Sequence, residues 1–207
     1  MKQRHFIDSH KGATGLCILG CMFAFNAWDN TTIWLYLATH GLYGLLWIHK
    51  SRTFGDKQWE QPCSVLYGAY IWAGLSLYWL TPYLICSQQI EAPPWLLALG
   101  VACFGLGVFY HFASDLQKHT ALANGPGLIT TGLWSKLRNP NYFGELLIYM
   151  GFGMLAYNWA WVPAIVLCIF IGVIWVPNML KKDRSLSRYP EFEDYKKRSS
   201  WFIPFIL

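Results

Sequence analysis

Arg138-Asn139-Pro140-Asn141-Tyr142-Phe143-Gly144-Glu145 stands where a polar linker gives way to an apolar run. Asn139 followed by Pro140 is a helix-start signal, because Asn caps free amides and Pro loses nothing at the first helical position. A helix is therefore expected from Pro140. Its N-terminus would carry unpaired N–H groups and a partial positive charge beside Arg138, the arrangement that holds a phosphate or carboxylate. One turn further on, Asn141 and Glu145 share a face at i and i+4.

Outward from this stretch, the composition is that of a membrane protein. The 207 residues are 55% hydrophobic and only 13% charged, and the charges are segregated between apolar runs. These runs fall at Gly12 to Trp28, Thr31 to Ile48, Ser64 to Ile85, Pro93 to Phe112, Pro140 to Tyr157 and Trp159 to Val176. Most reach the roughly 17 to 25 residues that a spanning helix needs. The expected fold is thus all-α, a polytopic membrane bundle of about six spans.

The basic residues set the expected orientation, since Lys and Arg concentrate on the cytoplasmic side of short loops. Six spans place all 16 of them on one side: before the first span, between the second and third, between the fourth and fifth, and in the tail. The opposite loops hold only Asp29 and Glu91. Both termini and the Arg138 stretch are accordingly expected to be cytoplasmic. The net charge of +5 then reflects topology and attraction to anionic lipid rather than nucleic-acid binding. Six cysteines without CxxC or Cys/His ligand spacing read as small buried residues rather than metal ligands. No cleavable signal is recognisable at the N-terminus.

Along the chain, His40 lies near the middle of the second span with Tyr43 one turn on. An ionisable group at membrane depth is costly and marks a functional candidate, so His40 and Tyr43 are the candidate catalytic pair. The competing reading is a neutral imidazole bonded to a neighbouring helix. The third span is rich in Tyr and Trp, with Pro82 expected to kink or end it. The fourth continues into Ser114-Asp115-Leu116-Gln117-Lys118-His119, followed by the turn Asn124-Gly125-Pro126-Gly127. Lys118 is suited to neutralising a phosphate and Asp115 to accepting from a ribose or adenine, with a solvated local ion pair as the alternative. The closing run Trp201-Phe202-Ile203-Pro204-Phe205-Ile206-Leu207 is too short to span. It should dock back and fold the tail over the Arg138 stretch.

Ser114 to Lys118, Thr131-Gly132-Leu133-Trp134 and the Arg138 to Glu145 stretch together resemble the C-terminal domain of the steroid 5α-reductase and sterol reductase superfamily, of the DUF1295 type. Tyr189-Pro190-Glu191-Phe192-Glu193-Asp194-Tyr195, ending in Ile203-Pro204-Phe205, is similar to the closing motif of the same superfamily. The resemblance covers roughly the last 95 residues. It implies a single membrane domain, 1–207. Within it, 1–111 would form the N-terminal, substrate-side spans and 112–207 the cofactor region.

The activity this resemblance implies is NADPH-dependent reduction of a carbon–carbon double bond in a lipid or steroid-like substrate, with the lipid bilayer as surroundings and no protein partner required. The cofactor contacts it implies are Asp115, Lys118, Trp134, Arg138, Asn141, Tyr142, Glu145, Arg188, Tyr189 and Tyr195. Position 139 is Asn where sterol reductases commonly carry His, and the linker from His119 to Thr131 has no Arg. Arg138, Pro140, Tyr142 and Gly144 are also similar to the Arg-x-Pro-x-Tyr-x-Gly pattern of isoprenylcysteine and phospholipid methyltransferases, which implies S-adenosylmethionine as the alternative cofactor. The Glu-Glu pair those enzymes carry after the last span is replaced here by Lys181-Lys182-Asp183-Arg184. A non-catalytic lipid-binding protein of the same fold is the third expectation.

Overall fold

The structure, a computed structural model, describes residues 1–205. The described chain is all-α, without a β-strand. Its helices are α1 (Gln3–Ala24), α2 (31–54), α3 (65–87), α4 (Pro94–Ala123), α5 (Pro140–Met154), α6 (Trp161–Leu186) and α7 (Phe192–Arg198). Two of them, α4 and α6, are long and apolar enough to cross a membrane. Tyr, Trp, Thr and His dilute the hydropathy of α2, and Arg4, Asp8 and Lys11 that of α1.

Three helices depart locally from α geometry, two of them near a proline. In α3, Pro82 has no N–H and its ring crowds the carbonyl four residues back, at Tyr78. The ladder tightens there into a 3₁₀ turn, Leu77–Trp79, and then resumes to Ser87. In α6, the π turn Ile171–Trp175 precedes Pro177 and absorbs the lost hydrogen bond. In α2 the departure lies away from any proline. Thr39 Oγ1 bonds back to the carbonyls of Leu35 and Tyr36, and Leu37–Gly41 forms a π turn around it.

The chain forms two compact units: Met1–Phe104 with Met150–Val166, and Gly105–Tyr149 with the chain from Leu167 onward. In the first, α1 packs against α2 and α3. Gly44 meets the Lys11 carbonyl so closely that a Cβ would lie 2.2 Å from it. At one end of this unit, α1 and α3 each finish with a left-handed residue, Asn26 and Gln89. In both caps the next amide reaches back five residues, Ala27 to Met22 and Ile90 to Ile85. The two caps are stitched together, with Asn30 donating to Ile90 O and Gln89 to Phe25 O. The Glu91 carboxylate accepts from the Thr31 amide and the Thr32 hydroxyl, where the start of α2 favours a negative charge. The other end holds the basic residues, with Lys2 and Arg4 both paired to Glu60.

In the second unit, α4 and α5 meet backbone to backbone through glycine. A Cβ on Gly107 would stand 2.7 Å from Gly144 O, and one on Gly144 would stand 2.3 Å from the His111 amide. Without a hydrophobic drive between helices in lipid, such small-residue contacts are a main source of packing energy. Gly107→Ala should therefore destabilise the protein by about 1–3 kcal/mol through overpacking. Gly105→Ala, two residues away with open space around it, should leave it unchanged or stabilise it by up to about 1 kcal/mol. Thermal melts of the two variants in detergent compare these outcomes directly.

Candidate functional site

The second unit gathers the polar residues of the C-terminal motifs. The helix predicted from Pro140 begins there, with Phe143 N bonded to Asn139 O. Arg138 and Asn139 are buried, at 7% and 0% exposure. Their side chains reach the tail. Arg138 Nη1 donates to Lys196 O at 3.1 Å and to Ser199 O at 2.7 Å, both carbonyls at the end of α7. Its Nε lies 3.4 Å from Asp183 Oδ2 on α6. Asn139 Nδ2 donates to Trp201 O at 2.8 Å.

Backbone pairing reinforces this docking. Arg138 N donates to Ser200 O and Ser200 N to Lys136 O, a short parallel bridge between Leu137 and Ser200. The tail thus folds onto the signature stretch as expected, with Phe202 buried, but the apolar ending does not all dock: Phe205 is exposed, and Ile206 and Leu207 lie outside the described residues. Lys182 completes the knot from α6: its ammonium donates to Arg138 O and to Asn139 Oδ1, and sits 4.9 Å above the Trp134 ring. Asp183, Lys118, Arg138 and Asp115 all lie within electrostatic range of it.

The loop before Arg138 is held just as firmly. Trp134 Nε1 donates to Ser114 O, and Gln117 bonds both Thr131 O and Leu133 N. The Tyr195 hydroxyl donates to Trp134 O. Burial pushes the Tyr195 phenol up to about 12, so it stays a neutral donor throughout the physiological range. On α4, Asp115 and His111 are buried, and His111 Nδ1 lies 3.1 Å from Asn141 O.

Of the ten cofactor candidates, Asp115, Trp134, Arg138 and Tyr195 are buried, Lys118, Asn141, Tyr142 and Glu145 are half-buried in the same unit, and Tyr142 faces Trp175. Arg188 and Tyr189 pair with each other at 3.1 Å, and Arg188 also bonds Ser185. Buried polar atoms of the cluster without a hydrogen-bond partner among the described residues include the acceptors Asn141 Oδ1 and Asp183 Oδ1 and the donors Arg138 Nε and Trp201 Nε1. Asp183 and Trp201 also line a groove of about 510 Å³ whose other walls include Arg138, Arg184, Glu193 and Lys196. Sequence reasoning missed Lys182, Asp183, Arg184 and Lys196, because a charged tail reads as topology until the fold shows which residues reach the cluster and which line the groove.

His40 and Tyr43 belong to the first unit. His40 is 2% exposed, sits in the π turn of α2, shares a 2.8 Å hydrogen bond between Nδ1 and the Tyr36 hydroxyl and stacks on Phe152 at 4.3 Å. Tyr43 is fully buried, with the Lys11 ammonium 4.6 Å from its ring centre. His10, also missed from sequence, is buried between Trp72 and Trp79.

An all-α chain with membrane-length helices and a polar cluster at the junction of α4, α5 and α6 defines the general class. The family follows from comparison: the profile of DUF1295, described as a protein of unknown function, matches residues 53–199, and the chain belongs to that family. No curated protein matches the sequence.

Two outcomes test the knot. Arg138→Ala leaves two carbonyls and Asp183 without their cation, which costs about 3–5 kcal/mol for a buried pair, and proteolysis should then cut within 192–201 faster than in the wild type. Tyr195→Phe should cost about 1 kcal/mol. The folded phenol titrates higher than its ordinary 10.0, so its contribution is complete below pH 10 and is lost as pH rises towards 12. Melting curves of the two proteins should converge across that interval.

Proposed function

We propose that the protein is a multi-pass membrane oxidoreductase that reduces a carbon–carbon double bond of a lipid or steroid-like substrate with NADPH. The observation that carries this reading is the set of buried, unmatched acceptors, Asn141 Oδ1 and Asp183 Oδ1, set among cations in the motif stretch. Leaving such atoms unpaired costs about 1–3 kcal/mol each, and a bound ligand with hydroxyl or amide donors relieves that cost. A dinucleotide offers both, together with phosphates for the neighbouring cations.

The membrane reading is a six-span bundle with cytoplasmic termini. Its support includes the polarity of the first unit. Trp28, Trp34, Trp95, Trp159 and Trp161 are exposed at helix ends and turns remote in the fold from Lys2, Arg4, Lys50, Arg52 and Lys57. Tryptophan at one level and lysine or arginine at the other is the pattern of a helix bundle between two bilayer interfaces.

The bound nicotinamide would supply hydride transfer, and the chain's part is to bind and orient it. Asn141 and Glu145 would hold sugar or amide groups, and Lys118 with Asp115 would set charge and hydrogen bonding alongside. His40 and Tyr43 are proposed to supply the acid that protonates the second carbon. The second reading is methyl transfer from S-adenosylmethionine, supported by the Arg138, Pro140, Tyr142 and Gly144 pattern.

Titrating the purified protein with each cofactor separates the two. Stabilisation by NADPH is expected, and stabilisation by S-adenosylmethionine alone would overturn the reductase reading. Tyr43→Phe keeps the ring and should lower turnover about 100-fold or more while leaving NADPH affinity unchanged.

A further inference from the structure

We propose that the groove beside α7 is a seat for a phosphate ester, held by Arg184 and Lys196, two residues outside the motif set. The cavity, about 510 Å³, falls within the roughly 300–1,000 Å³ of small-molecule sites. Its charge balance favours an anion. Asp183 is already committed to Arg138, which leaves the Arg184 and Lys196 side chains against Glu193. Neither of these two cations has an ion-pair partner among the described residues.

What separates them from the other surface cations of the tail is convergence on one concavity with donors of other kinds. Trp201 lines the same groove, and its indole N–H is buried without an acceptor. Leu180 and Phe192 add an apolar wall. A guanidinium fork, an ammonium and an N–H donor suit the oxygens of a phosphate. The apolar wall suits what the phosphate is attached to.

That chemistry has two sources, a nucleotide or a phospholipid headgroup. The nucleotide source rests on the reductase reading, and the lipid source does not. Protein in detergent is titrated with 2′,5′-ADP, with adenosine as the unphosphorylated control. Protein in nanodiscs is tested for retention of phosphatidylglycerol, with diacylglycerol as the unphosphorylated control. One phosphate ester should bind, and Arg184→Ala and Lys196→Ala should each weaken it about tenfold or more, as expected for one charge-assisted hydrogen bond.

Both side chains are exposed, so unchanged melting temperatures should confirm that the variants fold. Loss of 2′,5′-ADP affinity supports the seat and assigns it to the nucleotide. Loss of phosphatidylglycerol retention with NADPH affinity intact supports it and assigns it to lipid. Binding of neither ester, or equal binding by wild type and both variants, overturns the seat. The reductase reading is judged separately, on NADPH itself.

Discussion

A buried guanidinium must be surrounded by acceptors, and the C-terminal half of this chain is arranged to surround Arg138. Lys196 O and Ser199 O close one side of it and Asp183 another, while its own backbone pairs with Ser200. These partners come from α6, α7 and the segment after α7. A single side chain therefore ties three elements to the start of α5. The helix start then becomes one wall of a polar cluster rather than an isolated anion-binding end.

This changes the physical role of the signature stretch. From sequence, Arg138 reads as a phosphate ligand and Asn139 as a cap. In the fold both side chains are directed to the tail, with Lys182 answering the oxygen atoms that Asn139 and Arg138 expose. The same stretch positions Asn141, and Gly144 brings α5 against the His111 backbone. Much of the stretch thus builds the site, and the atoms left over for a ligand are fewer and more specific: the Asn141 and Asp183 oxygens, the Trp201 indole and the Arg184 and Lys196 heads.

How much of this was legible follows from range. The start of α5 was readable because Asn-Pro acts locally, and the effect of Pro82 because the clash lies one turn away. The all-α fold followed from apolar runs. Tail docking was legible in outline, since seven apolar or aromatic residues too short to span need a surface. The partners were not. Nothing in Lys181-Lys182-Asp183-Arg184 says that Lys182 turns towards Asn139 while Arg184 faces a groove, because neighbours on a helix diverge by about 100° and only packing decides which is covered. The π turn around His40 was equally hidden, because no proline marks it in the sequence.

The segment after α7 lies in parallel register against residues 136–138. Replacing Leu137 and Ser200 with cysteine, in a chain whose six native cysteines are removed, tests that register. Mild oxidation should join the pair in high yield, because bridged neighbours stand within disulfide range. Failure of that pair to cross-link, with efficient cross-linking of a pair shifted by several residues, would contradict this register.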